Sequence, residues 1–353
     1  MITLGVDAHK QVHVAVALDA AGHELGRWRG PNSQRGWKEL ARWAAALGGP
    51  RRWGIEGAWN YGRGLAQHLV ASGETVYEVN PRWTARGRRS ARKVGKSDSL
   101  DAHAVAMLVW REGDALPRVV TEDETAVLDL LVTERESTLA EATRLRNQIH
   151  YLLLQLDPEY RAHLPSLQTQ AGLAALERYT SPQASVLAQE RAAAVRRLAQ
   201  RLRLALDQAE ELAAQIRRRA GRSFSPLTRL CGINLLTAGA LAGILGPGRR
   251  FASDAQLAAY AGVAPLEASS AGVVRHRLNR GGNRRLNAIL YRIALTQARY
   301  SPEARAYLER RVAEGKTRRE ALRALKRFLI RAIWRLWQEC VAQQAAVPAT
   351  AVA

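Results

Sequence analysis

The chain has 353 residues, enough for two or three domains, and a hydrophobic fraction of 47% that suits folded globular protein rather than disorder. Its 53 Lys and Arg against 32 Asp and Glu leave a net charge of +21, which points to a polyanionic partner, because neutralising phosphates releases counterions. Cys231 and Cys340 are too few for a disulfide framework or a cysteine metal site. No stretch reaches the ~18 consecutive apolar residues of a membrane span. The start has no basic n-region, and Asp7 interrupts its apolar run, so the expectation is a cytoplasmic protein with no membrane partner.

In chain order, Ile2–Ala8 reads as a buried strand, and alternating Val12, Val14, Val16 and Leu18 as a second. A third follows over His23–Arg29. Ser33–Leu47 is amphipathic and stops at Gly48-Gly49-Pro50, as helices do. A strand at Arg52–Gly57, a helix at Tyr61–Ala71, a strand at Thr75–Val79 and a helix from Asp98 to Glu112 complete the unit. The order βββαβαβα predicts an α/β RNase H-like domain over residues 1–118.

Residues 119–221 change character. Leu128, Leu131, Ala142, Leu145, Ile149, Leu152 and Leu156 follow a 3-4 spacing, and Val195, Leu198, Leu202, Ala205, Ala209, Leu212 and Ile216 repeat it. Each is a heptad seam of about three repeats, suited equally to a helical hairpin core and to an oligomer contact. Residues 222–345 predict a mainly α C-terminal domain that opens, from Leu230 to Leu241, like a helix-hairpin-helix. Residues 346–353 read as a disordered tail.

Four acidic residues occupy telling positions. Asp7 and Glu56 end strands, while Asp98 and Asp101 lie three apart at a helix start and share one face. Strand ends and a helix N-terminus converge on one rim in such a unit. Carboxylates gathered there repel one another unless cations lie between them, and hard oxygen donors suit Mg2+ or Mn2+. Two such ions about 4 Å apart would serve phosphodiester chemistry. Taken singly, Asp98 reads equally well as an N-cap and Asp7 as a turn cap.

Two basic stretches accompany the acids. Residues 82–96, with Arg88, Arg89, Arg92, Lys93 and Lys96, contain no acid, and between Arg275 and Arg335 there are 18 basic residues against 4 acidic ones. Arg275, Arg277, Arg280, Asn283, Arg284 and Arg285 follow a small-residue loop, Ser269-Ser270-Ala271-Gly272. A serine there could attack a phosphodiester held by the arginines, although most such loops are linkers.

The stretches Gly5–Lys10, Gly54–Gly57, Lys96–Ala102 and Pro265–Asn283 together resemble the IS one-ten family of insertion-sequence transposases, related to the Piv-type DNA invertases, over about residues 2 to 340. The resemblance implies a RuvC-like domain whose acidic tetrad, here Asp7, Glu56, Asp98 and Asp101, binds magnesium. It implies a coiled-coil dimerisation segment and a C-terminal serine that becomes covalently linked to DNA. Ser270 matches that serine best, and Ala271, where the family has glycine, leaves Ser269 open. The resemblance also implies donor and target DNA as partners, a structured guide RNA, and a homodimer or homotetramer. Competing readings are a Holliday-junction or structure-specific nuclease, which leaves the serine idle, and a non-catalytic nucleic-acid-binding protein. A sugar kinase of the actin-like class shares the opening strands but lacks the charge.

Overall fold

Strand β1 (Ile2–Ala8) is the centre of a five-stranded sheet in a computed structural model that describes residues 1–81, 83, 84, 98–267, 276, 277, 279 and 281–346. Beside it run β2 (Val12–Leu18), β3 (Glu24–Pro31), β4 (Arg51–Glu56) and β5 (Thr75–Val79), in the spatial order β3-β2-β1-β4-β5. The first three strands are antiparallel neighbours, while β4 and β5 continue the sheet parallel to β1.

The near-continuous apolar run of β1 is explained by burial on both faces. Ile2, Leu4 and Val6 point into a core with Leu40, Trp53, Ile55, Leu65 and Leu69, beneath α1 (Gln34–Ala46) and α2 (Arg63–Ala71). On the opposite face, Val14, Val16 and Leu18 meet Ala102 and Ala106 of α3 (Asp98–Glu112), while Val105 and Val109 pack on Tyr77 and Val79. Ser33 caps α1 by accepting from Gly36 N, and the chain leaves that helix through Gly48 and Gly49 at φ of 79° and 69°.

The chain divides into two units. The first comprises residues 1–125, 226–234 and 244–353, so the sheet domain and most of the C-terminal helices belong together. Those helices are α9 (Asp254–Tyr260), α10 (Arg284–Tyr300), α11 (Pro302–Ala313) and α12 (Arg318–Ala346), with a short antiparallel pair, β6 (Leu266–Glu267) and β7 (His276–Arg277), between α9 and α10.

The second unit is residues 126–225 and 235–243. Its long helices α4 (Glu124–Leu156) and α7 (Val186–Ser223) run antiparallel, with Gln183, just before α7, donating to Leu156 O and Arg201 pairing with Glu141. The short helices α5 (Tyr160–His163) and α6 (Gln170–Glu177) join them. The buried seam is shifted by one residue from the expected one in places. Val132, Leu153 and Ala199 are buried, whereas Leu131, Leu152 and Leu198 are half-buried. Alanines at 188, 192, 199 and 205 explain this, because small side chains on α7 let the leucines of α4 approach from a broader stripe.

The expected helix-hairpin-helix takes another form. A single turn of 3-10 helix (Ser225–Arg229) precedes a turn at Gly232, φ 91°, and then α8 (Leu235–Leu245). Gly239 of α8 lies against Ile216, and its Gly243 against the Asp129 backbone, so this helix is buried by packing along its small-residue face.

Candidate metal centre

Period-two alternation puts Thr3, Gly5 and Asp7 of β1 on the face that α3 covers. Gly5 allows the helix to come close. A Cβ built there would lie 2.1 Å from Ala106 N and 2.3 Å from Ala102 O. Gly54 does the same on β4, where a Cβ would lie 2.3 Å from Val109 Cγ2. Each glycine stands two residues before an acid, so the closeness of α3 is what carries its first turn, with Asp98 and Asp101, to the ends of β1 and β4. Asp7 and Glu56 are direct partners across the parallel β1–β4 ladder, on that same face.

Asp7 is buried, as is Asp101. Burial raises the Asp7 carboxyl above its ordinary value; His9 opposes that shift, and the negative charges of Asp101 and Asp98 add to it. His9 Nε2 lies 3.0 Å from Asp7 Oδ2 and 3.6 Å from Asp98 Oδ1. One ligand atom each from Asp7, His9 and Asp98 falls within a mutual 4.8 Å. Glu56 and Asp101 flank this trio without belonging to it. The donors are carboxylate oxygens crowded by like charge with one imidazole nitrogen beside them, and they suit a divalent cation.

Beside the trio an open groove of about 400 Å³ is lined by Val14, Arg27, Trp28, Arg29, Asp98 and Ser99. Arg27 pairs with Glu24, while Arg29 makes no ion pair among the described residues and lines the same groove as Asp98 from the edge strand β3. No pattern singles out Arg29 as a site residue, and His9 stands in the Gly5–Lys10 motif without a role of its own. His9 follows a strand end with no periodic signal, and Arg29 reaches the site only because β3 folds back beside β2.

Ser269 and Ser270 lie outside the described residues, as do Arg88, Arg89, Arg92, Lys93, Lys96, Arg275 and Arg280. Of Arg277 only the backbone, on β7, is described. Residues before and after the serine loop meet around Arg250. Arg250, buried, donates through Nη2 to Glu78 Oε2 at 2.6 Å and to the Tyr260 hydroxyl at 2.9 Å, and through Nη1 to Ile244 O. Asn283 donates from Nδ2 to that hydroxyl and accepts from Leu286 N, capping α10. Its side-chain amide is thus engaged in structure, whereas Arg284 is exposed and Arg285 half-buried. Burial opposes the charge on Arg250, yet Glu78 and Tyr260 hold its pKa above the ordinary guanidinium value.

A family model of the type DEDD_Tnp_IS110, described as Transposase, matches residues 4–158, and one described as Transposase IS116/IS110/IS902 family matches residues 225–309. The 43.6 kDa protein of insertion element IS110 from Streptomyces coelicolor is 31% identical over 297 residues, covering 72% of this chain and 73% of its own. The 42 kDa protein of insertion element IS900 from Mycobacterium paratuberculosis is 27% identical over 381 residues, 95% of each chain. The chain therefore belongs to the IS110 (one-ten) family of insertion-sequence transposases. Among solved structures, T. thermophilus RuvC in complex with a Holliday junction substrate aligns at 14% identity and a TM-score of 0.25, over 34% of this chain and 99% of that one.

Proposed function

We propose that the sheet domain is RNase H-like and that the chain cleaves and rejoins DNA as the transposase of an insertion sequence. In this reading Asp7, Glu56, Asp98 and Asp101 hold Mg2+ or Mn2+, and Ser270 is the nucleophile. The observation that carries the reading is the meeting of Asp7, Asp98 and Asp101 at one sheet rim, in a chain of this family. Bound there, divalent cations would activate an attacking hydroxyl and stabilise the leaving oxygen.

The serine needs such help, because its hydroxyl is a poor nucleophile near neutral pH. Its Oγ–P bond forms as one backbone P–O bond breaks, and the released sugar hydroxyl takes up a proton equivalent to the one the serine loses. The ester conserves the phosphodiester for rejoining. The basic side chains at 88–96 and 275–285, with Arg29, hold phosphates, and the net charge of +21 supports that role. Donor and target are chosen by a structured guide RNA, and the α4–α7 helices serve a dimer or tetramer.

Recombination of an element-end substrate in Mg2+ tests the metal assignment. Asp7→Asn or Asp101→Asn should abolish recombination while the variant stays folded, with the apo melting temperature unchanged or raised because a buried charge is gone. Undiminished recombination by either variant would overturn the assignment.

A further inference from the structure

The tetrad leaves His9 out, although His9 Nε2 lies within 4 Å of a carboxylate oxygen of both Asp7 and Asp98. We infer that the site is a mixed nitrogen–oxygen centre in which His9 Nε2 is a metal ligand together with Asp7 and Asp98, and that it therefore favours Mn2+ over Mg2+. The inference rests on the proposed carboxylate metal site and adds a ligand to it.

The geometry supports direct ligation. Six ligands at about 2.1 Å from an ion, in an octahedral arrangement, stand about 3 Å from their neighbours. His9 Nε2 lies 3.0 Å from Asp7 Oδ2 and 3.6 Å from Asp98 Oδ1, close to such an edge, and all three ligand atoms lie within 4.8 Å of one another. The imidazole is half exposed, so turning its lone pair toward an ion takes no rearrangement of the core. His9 Nε2 and Asp7 Oδ2 share a hydrogen bond of 3.0 Å whose direction follows the imidazole tautomer, and a neutral ring protonated on Nδ1 would offer Nε2 to an ion.

The ring also stands within 4 Å of two carboxylates that come from parts of the chain far apart in sequence, β1 and α3. Nitrogen ligation has a selective consequence. Mg2+ accepts oxygen and resists losing water, whereas transition ions bind imidazole more readily.

Mn2+ alone, added to the untagged full-length chain, provides the probe. Pulsed electron paramagnetic resonance of the bound ion should show the 14N modulation of a coordinated imidazole. Growth with 15N-histidine should convert that signal to its 15N form. His9→Gln should retain bound Mn2+ without the modulation, and its Mn2+ affinity should fall roughly ten-fold while its Mg2+ affinity changes little. Bound Mn2+ without histidine coupling in the wild-type chain, or unchanged coupling in His9→Gln, would overturn the inference and leave the carboxylate site standing. Absence of Mn2+ binding altogether would remove the carboxylate site, and the inference with it.

Discussion

Gly5 shows how one atom sets the site. Any Cβ there would strike the α3 backbone at 2.1 Å and 2.3 Å, contacts that no side-chain rotation relieves. Gly5→Ala should lift α3 from β1, at a cost of roughly 1–3 kcal/mol or more, and carry Asp98 and Asp101 away from Asp7. Chemical denaturation reads the first effect and Mn2+ titration the second; an unchanged midpoint would mean that α3 is not seated on β1. The acids themselves were legible in the sequence, since Asp7 and Glu56 end strands whose apolar patterns are plain and Asp98 and Asp101 share a helix face. The glycines were legible only as motif letters. Their purpose depends on a helix more than ninety residues further along the chain from Gly5, and no local pattern reports that approach. His9 was silent for the same reason, its second carboxylate neighbour being Asp98.

At the scale of elements, β1, β2, β5 and α3 fall where apolar periodicity places them, with Asn80-Pro81 closing β5 and Gly113 following α3. The strand order and the seam of the long helices were not legible. Hydrophobic spacing marks a stripe, while the partner's side-chain sizes decide which edge of it is buried, as at Leu152 and Leu153.

The joint between β5 and the base of the serine loop was hidden too. Arg250 reads as one arginine among many, yet it links Glu78 to Tyr260, and Tyr260 to Asn283. Arg250→Met should cost about 3 kcal/mol, because it removes the cation from the largely buried Glu78 carboxylate and leaves it only the Trp59 indole N–H. Adding Glu78→Gln should restore part of that loss. Urea unfolding of the single and double variants measures it, and a double variant as unstable as the single one would show that the pair is not the cause.

For the whole molecule, charge and family membership point the same way. A chain carrying +21 gathers acids at one rim, with Arg29 lining the same groove as Asp98, and ties Tyr260 and Asn283 to the sheet's β5 edge through Arg250. Charge alone names a polyanion; only the carboxylate rim and the serine together distinguish strand transfer from hydrolysis or from simple binding. The central claim is a protein–DNA ester at Ser270, and mass spectrometry of the protease-digested product formed with DNA and Mg2+ tests it most directly. The expected result is a nucleotide-bearing peptide with the modification on Ser270, absent from Ser270→Ala and from Asp7→Asn, both of which still fold. Cleaved DNA with no linked peptide, or full recombination by both Ser269→Ala and Ser270→Ala, would contradict it.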